Sequence, residues 1–394
     1  MLVGIVGKPS VGKSTFFKAC TLADVAIANY PFTTIKPNRA VGFVRIECVD
    51  KEFSKQCNPR IGYCTDGKRF VAVELLDVAG LIEGSHTGAG MGNQFLNDLN
   101  QADALIHIVD ISGSTNEKGE NIPVLSYDPT KDIRFLEYEL DMWYLGLIKN
   151  GWDKFLRQHK MEKGELYKAV AKQLSGLGVT EEVAKETLKN HNTEITNWND
   201  EELRKFATEL RIKTKPMIIA ANKIDVKGAE KNYERIKKEF PKYLIVPCSA
   251  DSELALREAN KAGLISYVPG DSNFEIKKKL NEKQKKALDF IKENILEKFG
   301  STGVQDILNK AVFELLNYIA IFPGGLNNLT DSQGRVLPDC FLMKDGSTAL
   351  DFAFRLHTDF GKKFIKAIDV KKRITIGKEH KLKNRDVIEI ITNA

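Results

Sequence analysis

The sequence has 394 residues, 42% hydrophobic and 28% charged, more than one domain usually holds, so two or three domains are expected. Residues 1–7 lack the basic head and cleavage site of a leader, and no apolar run approaches the ~20 residues that cross a bilayer. Six cysteines in so long a chain are too sparse for a disulfide-built secreted fold. A cytoplasmic protein without a membrane partner is expected, and a net charge of +6 permits a polyanionic partner without requiring one.

From the start, Leu2–Val6 is a short apolar run ending in glycine, followed by helical spacing over residues 13–26, the order strand, loop, helix. The loop Gly7-Lys8-Pro9-Ser10-Val11-Gly12-Lys13-Ser14-Thr15 fills G-x-x-x-x-G-K-[ST] at every place. Glycines let a backbone curl round a phosphate with its N–H groups inward. Lys13 then reaches the β- and γ-phosphates, and Ser14 is spaced to ligate a Mg²⁺ shared with them beside the positive end of the helix. A plain glycine turn is the competing reading, and it leaves strand, spacing and helix together unexplained.

Residues 40–46, 70–76, 104–111, 216–221 and 243–247 are further strand-length apolar runs. Strands alternating with helices predict a mostly parallel sheet, with ligands beyond the carboxyl ends of its strands. Cys48, Cys57 and Cys64 lie ahead of the 70–76 run. Three thiolates suit zinc, but the gaps exceed the short steps of a structural site and no fourth ligand stands near in the sequence. A local disulfide is open only where the source tolerates one inside the cell.

Asp77-Val78-Ala79-Gly80 has the D-x-x-G form, in which Asp77 would hold Mg²⁺ through water and the Gly80 N–H would report the γ-phosphate. Residues 112–211 read as a helical insert, with helical spacing over 132–148 and 165–174. Its aromatics Phe135, Tyr138, Trp143, Tyr144 and Trp152 are assigned to core packing before a partner surface. Asn222-Lys223-Ile224-Asp225 follows a strand in the N-K-x-D form. Asp225 can accept two hydrogen bonds from guanine's N1–H and exocyclic amine, a donor pair that adenine lacks, which favours GTP over ATP. Cys248-Ser249-Ala250 fits the loop whose backbone meets the guanine oxygen. Helices are predicted over 273–299 and 304–319, with Thr302 as a cap. After Phe322-Pro323-Gly324-Gly325 short strands and turns mark a separate small domain.

Asn29-Tyr30-Pro31-Phe32-Thr33-Thr34 with Pro37-Asn38, and the stretch from Gly80-Leu81-Ile82-Glu83-Gly84-Ser85-His86 to Gly92-Asn93-Gln94-Phe95-Leu96, resemble the Obg-related GTPases. The insert's position resembles the YchF branch of that group. Asp345-Gly346-Ser347-Thr348, Leu356-His357-Thr358-Asp359 and Asp386-Val387-Ile388-Glu389-Ile390 resemble the TGS domain, a ubiquitin-like β-grasp module. The resemblance implies an α/β P-loop NTPase. A Ras-like G domain would cover residues 1–265 with its insert at 112–211, a helical connector 266–320, and a TGS domain 321–394.

It further implies GTP hydrolysed to GDP and phosphate as a switch, with Thr34, or Thr33 as runner-up, on Mg²⁺. The ribosome or RNA becomes the expected partner. Leu81 stands where Ras-like enzymes carry a water-orienting glutamine, so hydrolysis would be slow and completed by a partner or by His86, for which a solvated loop histidine is the competing reading. Ser10 occupies the place where some relatives use asparagine to hold K⁺, leaving potassium stimulation open. Some members of the branch favour ATP through an altered base motif, from which the intact Asn222 and Asp225 differ. A nucleotide-sensing scaffold with little turnover is the other alternative. The small domain carries 13 Lys and Arg against 9 Asp and Glu, with Lys362, Lys363, Lys366, Lys371, Lys372 and Arg373 close together. This is either an RNA-facing patch or a solvated face, and His357 reads as a turn or core histidine.

Overall fold

The structure, a computed structural model, describes residues 1–21, 38–78, 99–162, 164–191 and 194–393. The chain makes in order β1 (Leu2–Val6), β2 (Arg39–Glu47), β3 (Tyr63–Thr65), β4 (Lys68–Asp77), β5 (Ala104–Asp110), β6 (Met217–Asn222) and β7 (Leu244–Pro247). They join in the order β2-β4-β1-β5-β6-β7, with β3 on β4. β4, β1, β5, β6 and β7 run parallel, and β2 and β3 pair antiparallel with β4. Every residue of β1, β5 and β6 is buried, as expected of parallel strands covered on both faces. The registers set Ile5 opposite Asp77, Val6 opposite His107 and Asp110 opposite Asn222, so the carboxyl ends of these strands share one edge.

Helices Thr130–Lys149, Trp152–Glu162, Leu166–Gln173, Glu181–Lys189 and Asp200–Thr214 cover one face. Trp143, Tyr144 and Trp152 are buried there in one core with Leu2, Val6 and Leu105 of the sheet. Tyr138 alone of the five singled-out aromatics is exposed, under the Arg204 guanidinium.

The connector departs from its sequence reading in three places. Residues 273–281 are not helical: β9 (Glu275–Ile276) pairs with β8 (Ile265–Ser266), and a capping box between Asn281 and Gln284 starts the helix at Glu282. Thr302 caps nothing, because its hydroxyl donates to Glu253 Oε2 at 2.6 Å and Gly303 is the N-cap residue. The helix begun at Val304 ends at Leu315 after a π turn, Asn317 at φ 52° reverses the chain, and Ile319 already belongs to a strand.

That strand opens the small sheet: β10 (Tyr318–Pro323), β11 (Phe341–Lys344), β12 (Phe364–Asp369), β13 (Ile374–Ile376) and β14 (Val387–Thr392), ordered β11-β10-β14-β12-β13. Helix Ala349–Leu356 lies on it, with Phe352 buried against Ile321 and Ile388. His357 is exposed and caps the next turn, its Nδ1 accepting from the Asp359 N–H at 3.2 Å. The opposite side of the small domain docks on β2 and β4, where Phe322, Leu337 and Val387 share a core with Val44 and Val71. Glu52 pairs there with both Lys371 and Arg385. No helix among the described residues is long and apolar enough to cross a membrane.

His107 sits in the middle of β5, almost wholly buried. Burial, then the charges of Lys13 and Lys8, push its pKa from 6.5 down to about 3. The unfolded chain takes up this proton near its ordinary value and the folded chain does not. Stability from this group is therefore whole above that value and is lost on acidification, by up to about 1.4 kcal/mol per pH unit. The urea midpoint of wild type should fall more steeply from about pH 7 to about pH 5 than that of His107→Leu; equal falls would clear His107 of the effect.

Candidate nucleotide site

Between β1 and the helix Lys13–Thr21 the backbone turns through Gly7 at φ 151°, Ser10 at φ 63° and Gly12 at φ 97°. A Cβ on Gly7 would stand 2.5 Å from the Ile108 carbonyl oxygen, and one on Gly12 would stand 2.4 Å from Asn222 Nδ2. Both glycines are therefore fixed by φ and by contact, which lets the loop pack directly on β5 and on Asn222. Lys13 Nζ donates to the Lys8 carbonyl oxygen at 2.8 Å, across the mouth of this loop. Burial lowers the Lys13 pKa while Asp77 opposes the shift, and burial raises the Asp77 carboxyl while Lys13 opposes. Ser14 is exposed in the first helical turn and Thr15 is half-buried.

Two loop residues assigned to the nucleotide act differently. The Lys8 side chain turns away into the protein: its Nζ lies 2.9 Å from Asp132 Oδ2, donates to the Thr115 carbonyl at 2.9 Å and sits 3.8 Å from the Tyr127 ring centre. Tyr127 Oη in turn donates to Asp132 Oδ1 at 2.8 Å. Pro9 has no N–H to offer, and its ring and carbonyl close on Gly119. The start of the insert thus grips the outer side of the loop, leaving the backbone of Lys8 and Val11, with Ser10 and Gly12, to line its inner side.

Asn222, at the end of β6, is a brace. Its Nδ2 donates to the Val11 carbonyl at 2.8 Å, and its Oδ1 accepts from the Ala250 N–H at 3.0 Å and the Cys248 thiol at 3.6 Å. Lys223, at φ 65°, reaches Asp110 Oδ2 at 2.9 Å and Ser114 Oγ at 3.3 Å. Burial pushes the Asp110 carboxyl up, but Lys223, Ser112 and Thr115 together hold it below the usual range. Asp225 is half-buried, and among the described residues no hydrogen bond reaches its carboxylate.

The N–H groups of the loop 248–250 are bonded within the protein. Cys248 N–H donates to the Ala221 carbonyl, Ser249 N–H to the Thr302 carbonyl and Ala250 N–H to Asn222, so all three donors expected at a base oxygen are engaged. Ser249 Oγ instead caps the helix Ala250–Lys261 by accepting from the Ser252 N–H. The next donors are the first-turn N–H groups of that helix, Asp251 first. Thr33, Thr34, Gly80, Leu81 and His86 lie outside the described residues.

Sequence reasoning missed Asp110, Tyr127 and Asp132. Asp110 reads as part of the 104–111 strand run, and Tyr127 and Asp132 precede or open a helix without any motif. Their signal is spatial, since Lys8 and Thr115 are 107 residues apart. Asp132→Ala would leave the Lys8 ammonium buried and unpaired, which should cost about 3–5 kcal/mol as a lower urea midpoint. The double change Lys8→Met with Asp132→Leu should recover most of it, and an unaltered midpoint in Asp132→Ala would mean the pair does not hold the loop.

Comparison with known proteins accords with this geometry. Residues 2–136 match the family described as 50S ribosome-binding GTPase, residues 220–324 that described as Obg-like GTPase YGR210-like, G4 motif-containing domain, and residues 330–392 the TGS domain. The chain is 48% identical over 394 residues to the uncharacterized GTP-binding protein MJ1332 of Methanocaldococcus jannaschii, covering 100% of this chain and 99% of the relative. It is 31% identical over 373 residues to the ribosome-binding ATPase YchF of Mycoplasma genitalium, covering 92% and 86%. A crystal structure of a GTP binding protein from Pyrococcus horikoshii OT3 superposes with a TM-score of 0.79 at 38% identity, covering 100% of both chains. With Gly7 to Ser14, Asp77 and Asn222 to Asp225 at one edge of a mostly parallel sheet and a TGS domain beyond it, this chain belongs to the GTP-binding, YchF-like family of Obg-related GTPases.

Proposed function

We propose that the protein binds GTP with Mg²⁺ and hydrolyses it to GDP and phosphate as a molecular switch. The observation that carries this reading is the Asp225 carboxylate, half-buried beside the Asn222 brace and without a hydrogen bond among the described residues. A carboxylate so held can accept both guanine donors, whereas adenine would leave it unpaired. Lys13 can exchange its carbonyl partner for a phosphate, a stronger acceptor, and the N–H groups from Ser10 to Ser14 supply further donors. Ser14, Asp77 and Thr34 would hold Mg²⁺, which when bound neutralises charge on the β- and γ-phosphates. Gly80 would register the γ-phosphate. Leu81 cannot orient water, so turnover is slow and relies on His86 or on a partner.

The ribosome or another RNA is the partner in this reading, met through the small domain in the cytoplasm. Lys362, Lys363, Lys366 and Arg373 are exposed there with Phe360 beside them in sequence, also exposed. Lys371 and Lys372 are engaged by Glu52 and Asp369, which shortens the basic run. A second reading, an ATPase, has support in the name of the Mycoplasma relative. Low turnover through Leu81 would instead suit a nucleotide-sensing scaffold.

Titration should show GDP bound at least about tenfold more tightly than ADP, and Asp225→Asn should remove most of that difference, as expected for loss of a charge-assisted pair. Tighter ADP binding would replace this reading by the ATPase. Lys13→Ala should lose nucleotide binding or turnover. Phosphate release measured with and without ribosomes, in K⁺ and in Na⁺, decides the rest: silence under every condition would leave the scaffold.

A further inference from the structure

Where β2 ends, the thiols of Cys48, Cys57 and Cys64 and the carboxylate of Asp50 come together, with all four ligand atoms within 4.8 Å of one another. The fourth donor that the cysteine spacing lacked is thus a carboxylate two residues beyond Cys48. The local fold explains the convergence. Asp50 opens a 3₁₀ turn (Asp50–Phe53), Ser54 at φ 52° turns the chain back, and Cys57 returns to Asp50, whose Oδ2 accepts the Cys57 N–H at 3.1 Å. Cys64 comes from β3.

Two of the distances are those of ligands on one tetrahedral ion, and all four donors lie within 4.8 Å of one another. Cys48 Sγ lies 3.5 Å from Cys57 Sγ, and Cys64 Sγ lies 3.8 Å from Asp50 Oδ2. A tetrahedron with Zn–S of about 2.3 Å and Zn–O of about 2.0–2.2 Å has edges of roughly 3.5–3.8 Å. A disulfide would need about 2.05 Å, and all three cysteines are free. An iron–sulfur cluster would hold its thiolates farther apart than this.

Charge gives a second, independent indication. Arg69 lies directly opposite Cys64 in the β3–β4 pair and is 1% exposed. Its Nη atoms donate to the carbonyls of Leu337 and Pro338 at 2.9 Å, its Nε has no partner, and among the described residues no carboxylate pairs with it. A buried cation without an anion is costly. Three thiolates and a carboxylate round a divalent ion carry a net charge of two minus, and Arg69 stands where that charge needs an opposite.

We propose that Cys48, Asp50, Cys57 and Cys64 form a structural, tetrahedral zinc site that fixes the loop on which the small domain docks. Thiolate donors select zinc over the magnesium of the nucleotide site. The same loop carries the Asn58 N–H to the Val336 carbonyl at 2.8 Å and the Arg60 N–H to the Pro338 carbonyl at 2.9 Å, and Arg60 pairs with Asp339. Holding the thiols in place therefore holds the large-domain side of this interface.

The test uses the full chain, free of any histidine tag and purified from zinc-supplemented cells. Elemental analysis should find about one zinc per chain. Exchange into Co²⁺ should give thiolate-to-cobalt charge transfer with the intense d–d bands of a tetrahedral site. Cys57→Ser and Asp50→Asn should lose most of the metal, and Cys340→Ser, beside the cluster, should keep it. Should Cys57→Ser fail to fold, the cobalt spectrum of the unaltered chain decides by itself. Less than about a tenth of an equivalent of zinc together with no cobalt–thiolate band, or full metal retention in a folded Cys57→Ser, would overturn the site. Metal lost from Cys340→Ser and kept in Asp50→Asn would overturn the assignment of the fourth ligand.

Discussion

The side-chain amide of Asn222 satisfies a carbonyl in the first loop of the chain and an N–H in a loop that follows it, partners 211 and 28 residues away. Both bonds are buried, so neither can be exchanged for water without leaving a polar group unpaired. The parallel register of β1, β5 and β6 brings these loops to the same edge, and the amide fixes their separation. Gly12 has no side chain because Asn222 occupies that space. The first loop and the loop before helix Ala250–Lys261 are thereby tied into one unit.

Near this brace lie three charge pairs, buried or half-buried. Lys223 is held by Asp110, Lys8 by Asp132 and Tyr127, and Lys13 stands near Asp77. The tie of Lys8 to Asp132 and Tyr127 joins the strand edge to the insert. The helical insert is therefore more than a lid on one face of the sheet, because the first turn of its first helix holds the loop through Asp132 and Lys8. Movement of the helix Thr130–Lys149 would be felt at Lys8 and through it at the carbonyl that Lys13 bonds.

Local pattern was enough for the first strand, the phosphate loop and the Asn222 to Asp225 turn, since each places its residues within a few positions of one another. Its assignment of the five aromatics to the core fits Tyr144, which is fully buried, and misses Tyr138, which is exposed. What it could not read were partners that only the fold introduces. Lys8 looks like any loop lysine until Asp132 is seen beside it. Asp50 looks like a turn residue until three thiols surround it, and Thr302 has the chemistry of a cap but finds Glu253 first. The three-residue strand β3 is too short to show a period. Ile319 continues a helical pattern whose backbone has already been turned by Asn317, a positive φ that spacing does not reveal.

The small sheet is threaded so that its last strand lies in its middle, with β14 between β10 and β12. The nucleotide sheet is built the other way, with its first strand, β1, between β4 and β5. During synthesis the larger sheet can therefore grow outward from a strand already made. The smaller one exists only as two separate pairs, β10 with β11 and β12 with β13, each with a bare edge, until residues 387–392 leave the ribosome. Val387, which joins the core shared by the two domains, arrives with them. A nascent chain halted a few codons short would carry a complete larger sheet and no means of closing its second domain.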